Sequence, residues 1–336
     1  VTPKHQFEVA VDPYRRPGDA TSGLLPFVQD APFGRAGDGD RSVQAYNLRL
    51  CFTRNPANRR ALEPPPNYDP ARYELLARYF EALVAAGKKP ALKNFLKIDL
   101  VTPEKTDINN NGGFSTDFIG GSTRWPEAGY AERERIYREH LDYVQGLLVF
   151  LATSPRVPEN VRMEMQQWGP CRDEFTDHDG WPHQLYVREA RRMQGAYVLT
   201  EHDLVEARAH DDVVALGSYN IDIREVERTW RYLPEFTRVP AVFNEGYLSV
   251  AVPPYAIPYR ALTPLRDEAT DLLAAVCVSA SHVAFSSLRM EPTYMLLGHA
   301  AGLASAQAAR RGVAVQDVDV DELQRSLIDQ GGVLSR

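Results

Sequence analysis

The stretch from Cys277 to Arg311 (CVSASHVAFSSLRMEPTYMLLGHAAGLASAQAARR) constrains the fold more than any other part of the chain. An apolar, strand-like run ends at a serine and a histidine, and an Arg-Met-Glu-Pro turn leads into a helix built mostly of small residues. Each glycine inside a helix costs about 1 kcal/mol relative to alanine. Gly298 and Gly302, four residues apart, therefore favour a helix that another backbone approaches closely over a plain alanine-rich helix.

Charge and hydropathy exclude several classes of partner. The 336-residue chain has a formal net charge of -7 and no long basic run, which argues against binding to nucleic acid or to an anionic membrane. No apolar run reaches the roughly eighteen residues of a membrane helix, so we expect no membrane span. The N-terminal sequence leaves the compartment open, either cytoplasmic or exported.

Cysteine and histidine spacing predicts neither a disulfide framework nor a metal site. Cys51, Cys171 and Cys277 lie far apart in the sequence, and none belongs to a C-x-x-C motif. The acidic, histidine-containing segment from Asp173 to His183 matches no known spacing of metal ligands. We therefore expect no metal.

Hydrophobic periodicity and capping residues predict a mainly helical first part, a set of antiparallel strands, and a final strand followed by two helices. The predicted strands are 42–52, several within 213–262, and 272–278. The predicted helices are 69–87, 128–152, 159–167, a short one after Thr200, 292–311 and 321–330. Because no regular β-α-β alternation occurs, we predict an α+β fold rather than a doubly wound one.

The C-terminal stretch holds the first candidate site. His282 follows the predicted strand directly, where ligands often bind, although a histidine that only caps the strand is an alternative. Arg289 and Glu291 precede Pro292 at the start of the predicted helix. The free N–H groups and partial positive charge of a helix N-terminus can hold an anion or an electron-rich carbonyl.

Two loops and a strand face hold further candidates. The segment near residue 185 combines aromatic rings with polar groups, as a sugar-binding surface does, in Trp181, Tyr186, Arg188 and Arg191. A surface loop in which Glu189 pairs with Arg192 or Arg188 is the alternative. Asn110, in an Asn-Asn-Asn-Gly-Gly run, either forms a turn or faces a substrate, and Tyr259 lies on a strand face that is either solvated or part of a site.

Several long motifs occur in order along the chain and carry a family resemblance. They are TPKHQF and VDPYRRPGD near the start, DINNNGGFSTDFIGG (107–121), DEFTDHDGWPHQLYVREARRMQGAYVLTEHDL (173–204), LGSYNIDI (216–223), VPPYAIPYRALTP (252–264) and the C-terminal stretch. Together they resemble the bacterial FAD-dependent oxidoreductase family that is often mislabelled as xanthan lyase-like. The resemblance covers nearly the whole chain.

The resemblance implies a fold similar to glutathione reductase, in which an N-terminal Rossmann-type unit with a G-x-G-x-x-G turn binds the FAD pyrophosphate. This sequence lacks that turn, since Gly37–Asp40 (GDGD) lies in a polar loop. We therefore expect a second chain or a missing N-terminal segment to supply the Rossmann-type unit. The implied regions are a mainly helical substrate or cap region (1–210), an antiparallel substrate-domain sheet (211–265), the closing strand and helix of the FAD domain (266–312) and a C-terminal helix (313–336).

The resemblance also implies roles for individual residues. His282 is the expected base, which takes a hydroxyl proton while a hydride passes to the flavin. The expected cofactor contacts are Ser281, Arg289, Met290, Glu291, Pro292, Thr293 and Gly298. The aromatic and polar residues of the loops, rather than the resemblance, indicate a polar, carbohydrate-like substrate, with expected contacts from Asn110, Trp181, Tyr186, Arg188, Arg191 and Tyr259.

We therefore predict the substrate-binding and flavin-closing portion of an FAD-dependent oxidoreductase. A non-catalytic module that binds a saccharide or a partner is the first alternative, because the chain lacks its own Rossmann-type unit. A hydrolase or lyase that acts through paired carboxylates is the second alternative, although no carboxylate pair stands out in the sequence.

Overall fold

The chain folds into two compact units whose sequences interleave. The structure, a computed structural model, describes residues 4–31, 35, 38–232 and 240–335, so Thr2, Pro3 and Gly37 of the motifs above lie outside the described residues. The first unit spans Val1–Val187 and Arg224–Tyr247, and the second spans Arg188–Ile223 and Leu248–Arg336. These bounds cut across the predicted regions 1–210 and 211–265, because 188–210 folds with the second unit and 224–247 with the first.

The strands of the described residues are short. In chain order they are β1 (Tyr14–Arg16), β2 (Asp19–Leu24), β3 (Phe52–Thr53), β4 (Leu96–Leu100), β5 (Thr106–Asn110), β6 (Gly169–Pro170), β7 (Val213–Gly217), β8 (Ile221–Ile223), β9 (Glu227–Tyr232), β10 (Pro240–Glu245), β11 (Leu248–Val250) and β12 (Tyr255–Pro258). They form antiparallel pairs: β1–β2, β3–β6, β4–β5 and β9–β10 in the first unit, and β7–β12 and β8–β11 in the second. The antiparallel strands predicted within 213–262 are confirmed, but as separate two-stranded ladders rather than one sheet.

Each predicted helix is confirmed to within a few residues. The α-helices are α1 (Glu74–Ala85), α2 (Tyr130–Thr153), α3 (Glu159–Met165), α4 (Glu201–Val205), α5 (His282–Leu288), α6 (Glu291–Arg311) and α7 (Val320–Asp329). Short 3-10 helices lie at Pro70–Tyr73, Leu92–Asn94, Trp125–Glu127, Thr176–His178, Tyr259–Ala261 and Val315–Asp317. Within the part of the chain that the structure describes, no helix is both long and apolar enough to cross a bilayer.

Local sequence signals explain the first long helix. Asp69 accepts the N–H of Ala71 through its side chain at 2.9 Å, and the 3-10 turn that begins at Pro70 leads directly into α1. Gly87 follows the helix with a φ of 72°, the left-handed conformation that glycine adopts without strain. The predicted apolar stripe is buried in the first core and consists of Leu75, Leu76, Tyr79, Phe80 and Leu83.

The segment predicted as strand 42–52 is buried but joins a ladder only at its end, in β3. Residues 43–48 are all buried, so burial does not alternate along this part of the segment. Asn47 is fully buried and donates to Asn109 Oδ1 at 2.6 Å. A polar partner inside the unit therefore replaces solvent for this side chain.

A buried arginine joins the β9–β10 hairpin to the rest of the first unit. Arg228 is 1 % exposed and donates to Asn244 Oδ1 at 3.0 Å and to the Gly113 carbonyl at 3.2 Å. Its guanidinium lies over the Phe114 ring, 4.5 Å from the centroid. Asn244 in turn donates to the carbonyls of His5 and Gly113, both at 2.8 Å. Distant parts of the sequence thus meet at one cation, and this explains why the hairpin folds with the first unit.

The predicted closing strand 272–278 is absent, although its apolar residues are present. The N–H of Ala274 donates to the Leu262 carbonyl, and later residues bond to the irregular stretch 193–199. No regular ladder results, and two of the apolar side chains are more than half exposed. A short apolar run has the same periodicity whether or not a partner strand lies in register beside it.

Helix α6 buries one side and exposes the other. Its buried line faces the second core and consists of Thr293, Leu297, Ala300, Ala304, Gln307 and Ala308. Gly298 and Gly302 lie on the exposed side, where a Cβ on either residue would meet nothing within 4 Å. The close approach that these glycines predict is therefore not made by any described residue.

A histidine on α2 is enclosed in the first core. His140 is fully buried, with Nδ1 2.8 Å from the Ile136 carbonyl and Nε2 3.4 Å from Ser122 Oγ. The carbonyl requires a hydrogen on Nδ1, so the neutral ring fits with Nε2 as the acceptor. Burial lowers the pKa of His140 from 6.5 to about 4.

We expect the first unit to lose stability on acidification through His140. Between about pH 6.5 and pH 4 the unfolded chain binds a proton that the folded His140 does not bind, so the free energy of unfolding should fall by about 3 kcal/mol from this group. Urea unfolding followed by tryptophan fluorescence measures this loss, because all 4 tryptophans lie in the first unit.

In the variant His140→Gln, the free energy of unfolding should fall by about 3 kcal/mol less than in the wild type over the same pH interval, because the titrating ring is removed. His178→Gln changes an exposed histidine of the same unit and should follow the wild type. Equal losses for the wild type and His140→Gln would contradict the assignment.

Candidate functional site

A histidine and a buried glutamate form the centre of the candidate site in the second unit. Nδ1 of His282 lies 2.6 Å from Oε2 of Glu189. The Glu189 side chain is 4 % exposed, whereas the His282 side chain is 38 % exposed. A carboxylate taken out of water needs hydrogen-bond donors, and the imidazole Nδ1–H is one of them.

Arg192 is the second partner of this carboxylate. Its guanidinium lies 3.4 Å from the same Glu189 oxygen, and its Nε donates to the Ala280 carbonyl at 3.0 Å. The guanidinium also lies over the Phe285 ring, 5.7 Å from the centroid. The sequence leaves a pairing of Glu189 with Arg192 or Arg188 as the alternative to a substrate site, and in the structure Glu189 pairs with Arg192 beside His282.

The local backbone explains why the His282 ring is held at this place. Ser281 caps α5, since its Oγ accepts the N–H of Ala284 at 3.2 Å. The N–H of Ser281 donates to the Leu199 carbonyl at 2.7 Å. His282 is therefore the first residue of a capped helix, and the residue before it is tied to the stretch that carries the carboxylate.

This arrangement leaves one imidazole nitrogen for proton transfer. With Nδ1–H donating to Glu189, Nε2 of the neutral ring carries the lone pair. Nε2 has no hydrogen-bond partner among the described residues, and the ring is partly exposed. A neutral imidazole oriented by a carboxylate can accept a proton from a hydroxyl group.

Arg289 and the start of α6 form a second group of polar atoms in the same unit. Arg289 donates to the carbonyl and the carboxylate of Asp222 at 3.1 and 3.3 Å, and its Nε is buried without a partner in the part of the chain described. Met290, at the N-cap position, supplies no side-chain cap, and Glu291 and Pro292 are exposed. Pro292 has no N–H, and the N–H of Met290 bonds the Leu288 carbonyl. The N–H groups of Glu291 and Thr293 are therefore the ones that can bond an electron-rich oxygen.

The predicted substrate residues are divided between the two units. Asn110, Trp181 and Tyr186 belong to the first, and Arg188, Arg191 and Tyr259 to the second. The Trp181 ring is 7 % exposed and packs edge-on against Phe52, while Tyr259 is 3 % exposed and donates its hydroxyl to the Val315 carbonyl at 2.8 Å. Both rings therefore pack inside the hydrophobic cores and do not line an open pocket.

Asn110 carries the clearest sign of a missing partner in the first unit. It is 3 % exposed, and neither polar atom of its side chain has a hydrogen-bond partner among the described residues. A buried unpaired amide is unfavourable, and an ordered water or a polar ligand would satisfy it. Tyr186 is half-buried, with the Arg49 guanidinium 4.9 Å from its ring centroid. Arg188 is buried and Arg191 is exposed.

The other predicted site features are placed as follows. Thr293 is buried in the first turn of α6, and Gly298 is exposed about one turn further along. No group of three or more His, Cys, Asp or Glu side chains that could hold a metal ion occurs in the described ranges.

Sequence reasoning missed the partners of both basic residues. Glu189 lies 93 residues from His282, and Asp222 lies 67 residues from Arg289. The available signal for Glu189 was its place within the Arg-Glu-Ala-Arg-Arg run, and Asp222 was visible only by strand alternation. Neither signal identifies a partner, because the partner depends on the fold.

Comparison with known families identifies a related family. A family model described as FAD dependent oxidoreductase matches residues 6–327, nearly the whole chain. Searches of curated proteins and of solved structures found no match. The matched range includes His282, Glu189, Arg289 and the whole of α6.

We expect Glu189 to fix the tautomer of His282. Glu189→Leu removes the acceptor for Nδ1–H, so the ring should lose its preference for that tautomer, whereas Glu189→Gln keeps an acceptor oxygen and should preserve it. NMR of the imidazole nitrogens measures this, with His282→Asn to identify the signals of His282 among 8 histidines. Glu201→Leu changes an exposed glutamate of the same unit and is the control. An unchanged tautomer in Glu189→Leu would show that the carboxylate does not set it.

Proposed function

The chain belongs to the FAD-dependent oxidoreductase family, with FAD as cofactor, and we propose that His282 is the base of its oxidation reaction. One observation carries the proposal: His282 Nδ1 lies 2.6 Å from the carboxylate of the buried Glu189. A histidine placed in this way has an oriented ring and an Nε2 that can accept a proton.

In the proposed reaction, Nε2 of His282 removes the proton of a substrate hydroxyl group. The positive charge that develops on the imidazole is stabilised by the Glu189 carboxylate, which also holds the ring in place. Arg192 keeps this carboxylate oriented, because it is itself bound to the Ala280 carbonyl. When bound, FAD accepts the hydride from the carbon that carries the hydroxyl.

The residues at the start of α6 fit the ring end of a flavin. The uncapped helix start provides N–H groups and a partial positive charge, and the unpaired Nε–H of Arg289 is a further donor. These donors suit the carbonyl oxygens of the flavin ring. Arg289 and the backbone from Met290 to Thr293 would hold this end of the cofactor, and Ser281 and Gly298 stay predicted contacts.

We also propose that a second chain, or a further segment of the protein, supplies the unit that binds the FAD pyrophosphate. The sequence contains no G-x-G-x-x-G turn between a strand and a helix. The exposed side of α6 supports this proposal, because Gly298 and Gly302 leave room for another backbone.

A polar, hydroxyl-bearing compound of the carbohydrate type is the proposed substrate. A base that acts on a hydroxyl group needs such a substrate. Arg188 and Arg191, in the same unit as His282, stay predicted contacts of this substrate, while Asn110 and Tyr186 stay predictions for the first unit. Trp181 is left out of the proposed site, as is Tyr259, because each ring packs into a core.

The first test is the visible absorption spectrum of the protein purified from its source without added cofactor. Bands near about 370 and 450 nm would come from bound flavin. A sample that is colourless, and stays so after FAD is added, would contradict flavin binding and favour a saccharide-binding module. Activity without flavin that depends on Asp or Glu but not on His282 would favour a hydrolase or lyase.

We expect His282→Asn to keep the flavin bands and to slow the reduction of the flavin by substrate about 100-fold or more, because the base is lost. Anaerobic bleaching of the 450 nm band with a panel of sugars and polyols measures the rate. Glu189→Gln should slow the reduction of the flavin about 10-fold, because the imidazolium loses its charged partner. The effect should appear in kcat rather than in KM.

His178→Gln, an exposed histidine of the first unit, serves as the control and should react at the wild-type rate. Full activity in His282→Asn would show that this histidine is not the base. The flavin bands would still show whether the cofactor is bound.

A further inference from the structure

Two cysteines that are 120 residues apart in the sequence lie side by side in the first unit. The Sγ atoms of Cys51 and Cys171 are 3.7 Å apart, and both thiols are free. The β3–β6 ladder pairs Phe52 with Pro170, so its register places the two cysteines directly opposite each other. The N–H of Cys171 donates to the carbonyl of Cys51 at 3.1 Å, in agreement with this register.

The backbone geometry of such a pair suits a disulfide. Residues directly opposite each other in an antiparallel ladder have Cα atoms about 4.5 to 5.5 Å apart. A disulfide needs a Cα separation of about 4.4 to 6.8 Å. The ladder already provides this separation, so side-chain rotation can close the 3.7 Å gap between the sulfur atoms without moving the strands.

We propose that Cys51 and Cys171 are a modification site at which the two cysteines form a disulfide bond with each other. A low-molecular-weight disulfide, such as oxidised glutathione, is the oxidant. The thiolate of the first cysteine attacks the oxidant, forms a mixed disulfide and releases one thiolate. The second cysteine attacks the protein sulfur of that mixed disulfide, forms the Cys51–Cys171 bond and releases the second thiolate. The protein loses two electrons and two protons, and the oxidant becomes two thiols.

Exposure decides which cysteine reacts first. Cys51 is half-buried and Cys171 is fully buried, so Cys51 attacks the oxidant and Cys171 resolves the mixed disulfide. Burial raises the pKa of Cys51, and it raises the pKa of Cys171 to about 12. Because the thiolate is the reactive form, oxidation is slow at neutral pH.

The disulfide would stabilise the first unit. It joins β3 to the residue after β6 and closes a loop of 120 residues, which restricts the unfolded chain. Both cysteines lie in the unit that contains all 4 tryptophans, so tryptophan fluorescence reports the effect. The inference does not depend on the proposed oxidation reaction.

The test uses the full chain with Cys277→Ser, which removes the exposed third thiol. After incubation with oxidised glutathione at about pH 8, where more thiolate is present, we expect a mass lower by two hydrogen atoms. Non-reducing peptide mapping should give a linked peptide that contains Cys51 and Cys171. The Tm of the first unit should be about 5 °C or more above that of the sample reduced with dithiothreitol.

Cys51→Ser in the same background is the matched control and should show neither the linked peptide nor the rise in Tm. The linked peptide is sought in the Cys277→Ser protein, whose core residues are unchanged. The test therefore remains decisive if the control variant Cys51→Ser folds poorly. Two thiols that stay free, or cysteines that carry glutathione without a linked peptide, would overturn the proposal.

Discussion

A carboxylate that is almost completely buried sets the arrangement of the second unit. Taking a charge out of water costs several kcal/mol unless partners compensate it, and Glu189 is 4 % exposed. His282 and Arg192 are those partners. Arg192 also bonds the Ala280 carbonyl, just before α5, and His282 begins α5 itself. The interaction that stabilises the fold at this point is therefore the same one that orients the imidazole.

How much of the fold the sequence predicts depends on how local the signal is. Helices α1, α2 and α7 are predicted to within a few residues, because their apolar stripes and their start or stop residues lie in or beside the helix. The strand 272–278 is predicted wrongly, because its backbone partners come from irregular segments elsewhere in the chain. The β9–β10 hairpin joins the first unit through Arg228, whose partner Gly113 is 115 residues away.

The residues of the candidate site also differ in how local their sequence signals are. Arg289 precedes a correctly predicted helix, whereas the sequence places His282 after a strand that does not form, and their carboxylate partners lie 67 and 93 residues away. The thiol pair is hidden for the same reason. An aromatic residue beside polar groups, such as Trp181, has the same pattern whether its ring lines a pocket or fills a core. Only its burial distinguishes the two, and that is a property of the whole unit.

Helix α6 has three features that contacts among the described residues do not explain. Gly298 and Gly302 each cost about 1 kcal/mol relative to alanine, yet a Cβ on either would meet nothing within 4 Å, so no contact offsets that cost. The helix start has no side-chain cap, and Arg289, two residues before it, has a buried Nε without a partner among the described residues. A flavin at the helix start, with the chain that holds it along the glycine side, would account for all three. In the function proposed above, α6 would then bind the hydride acceptor, and the Glu189–His282 pair at the start of α5 would take the proton.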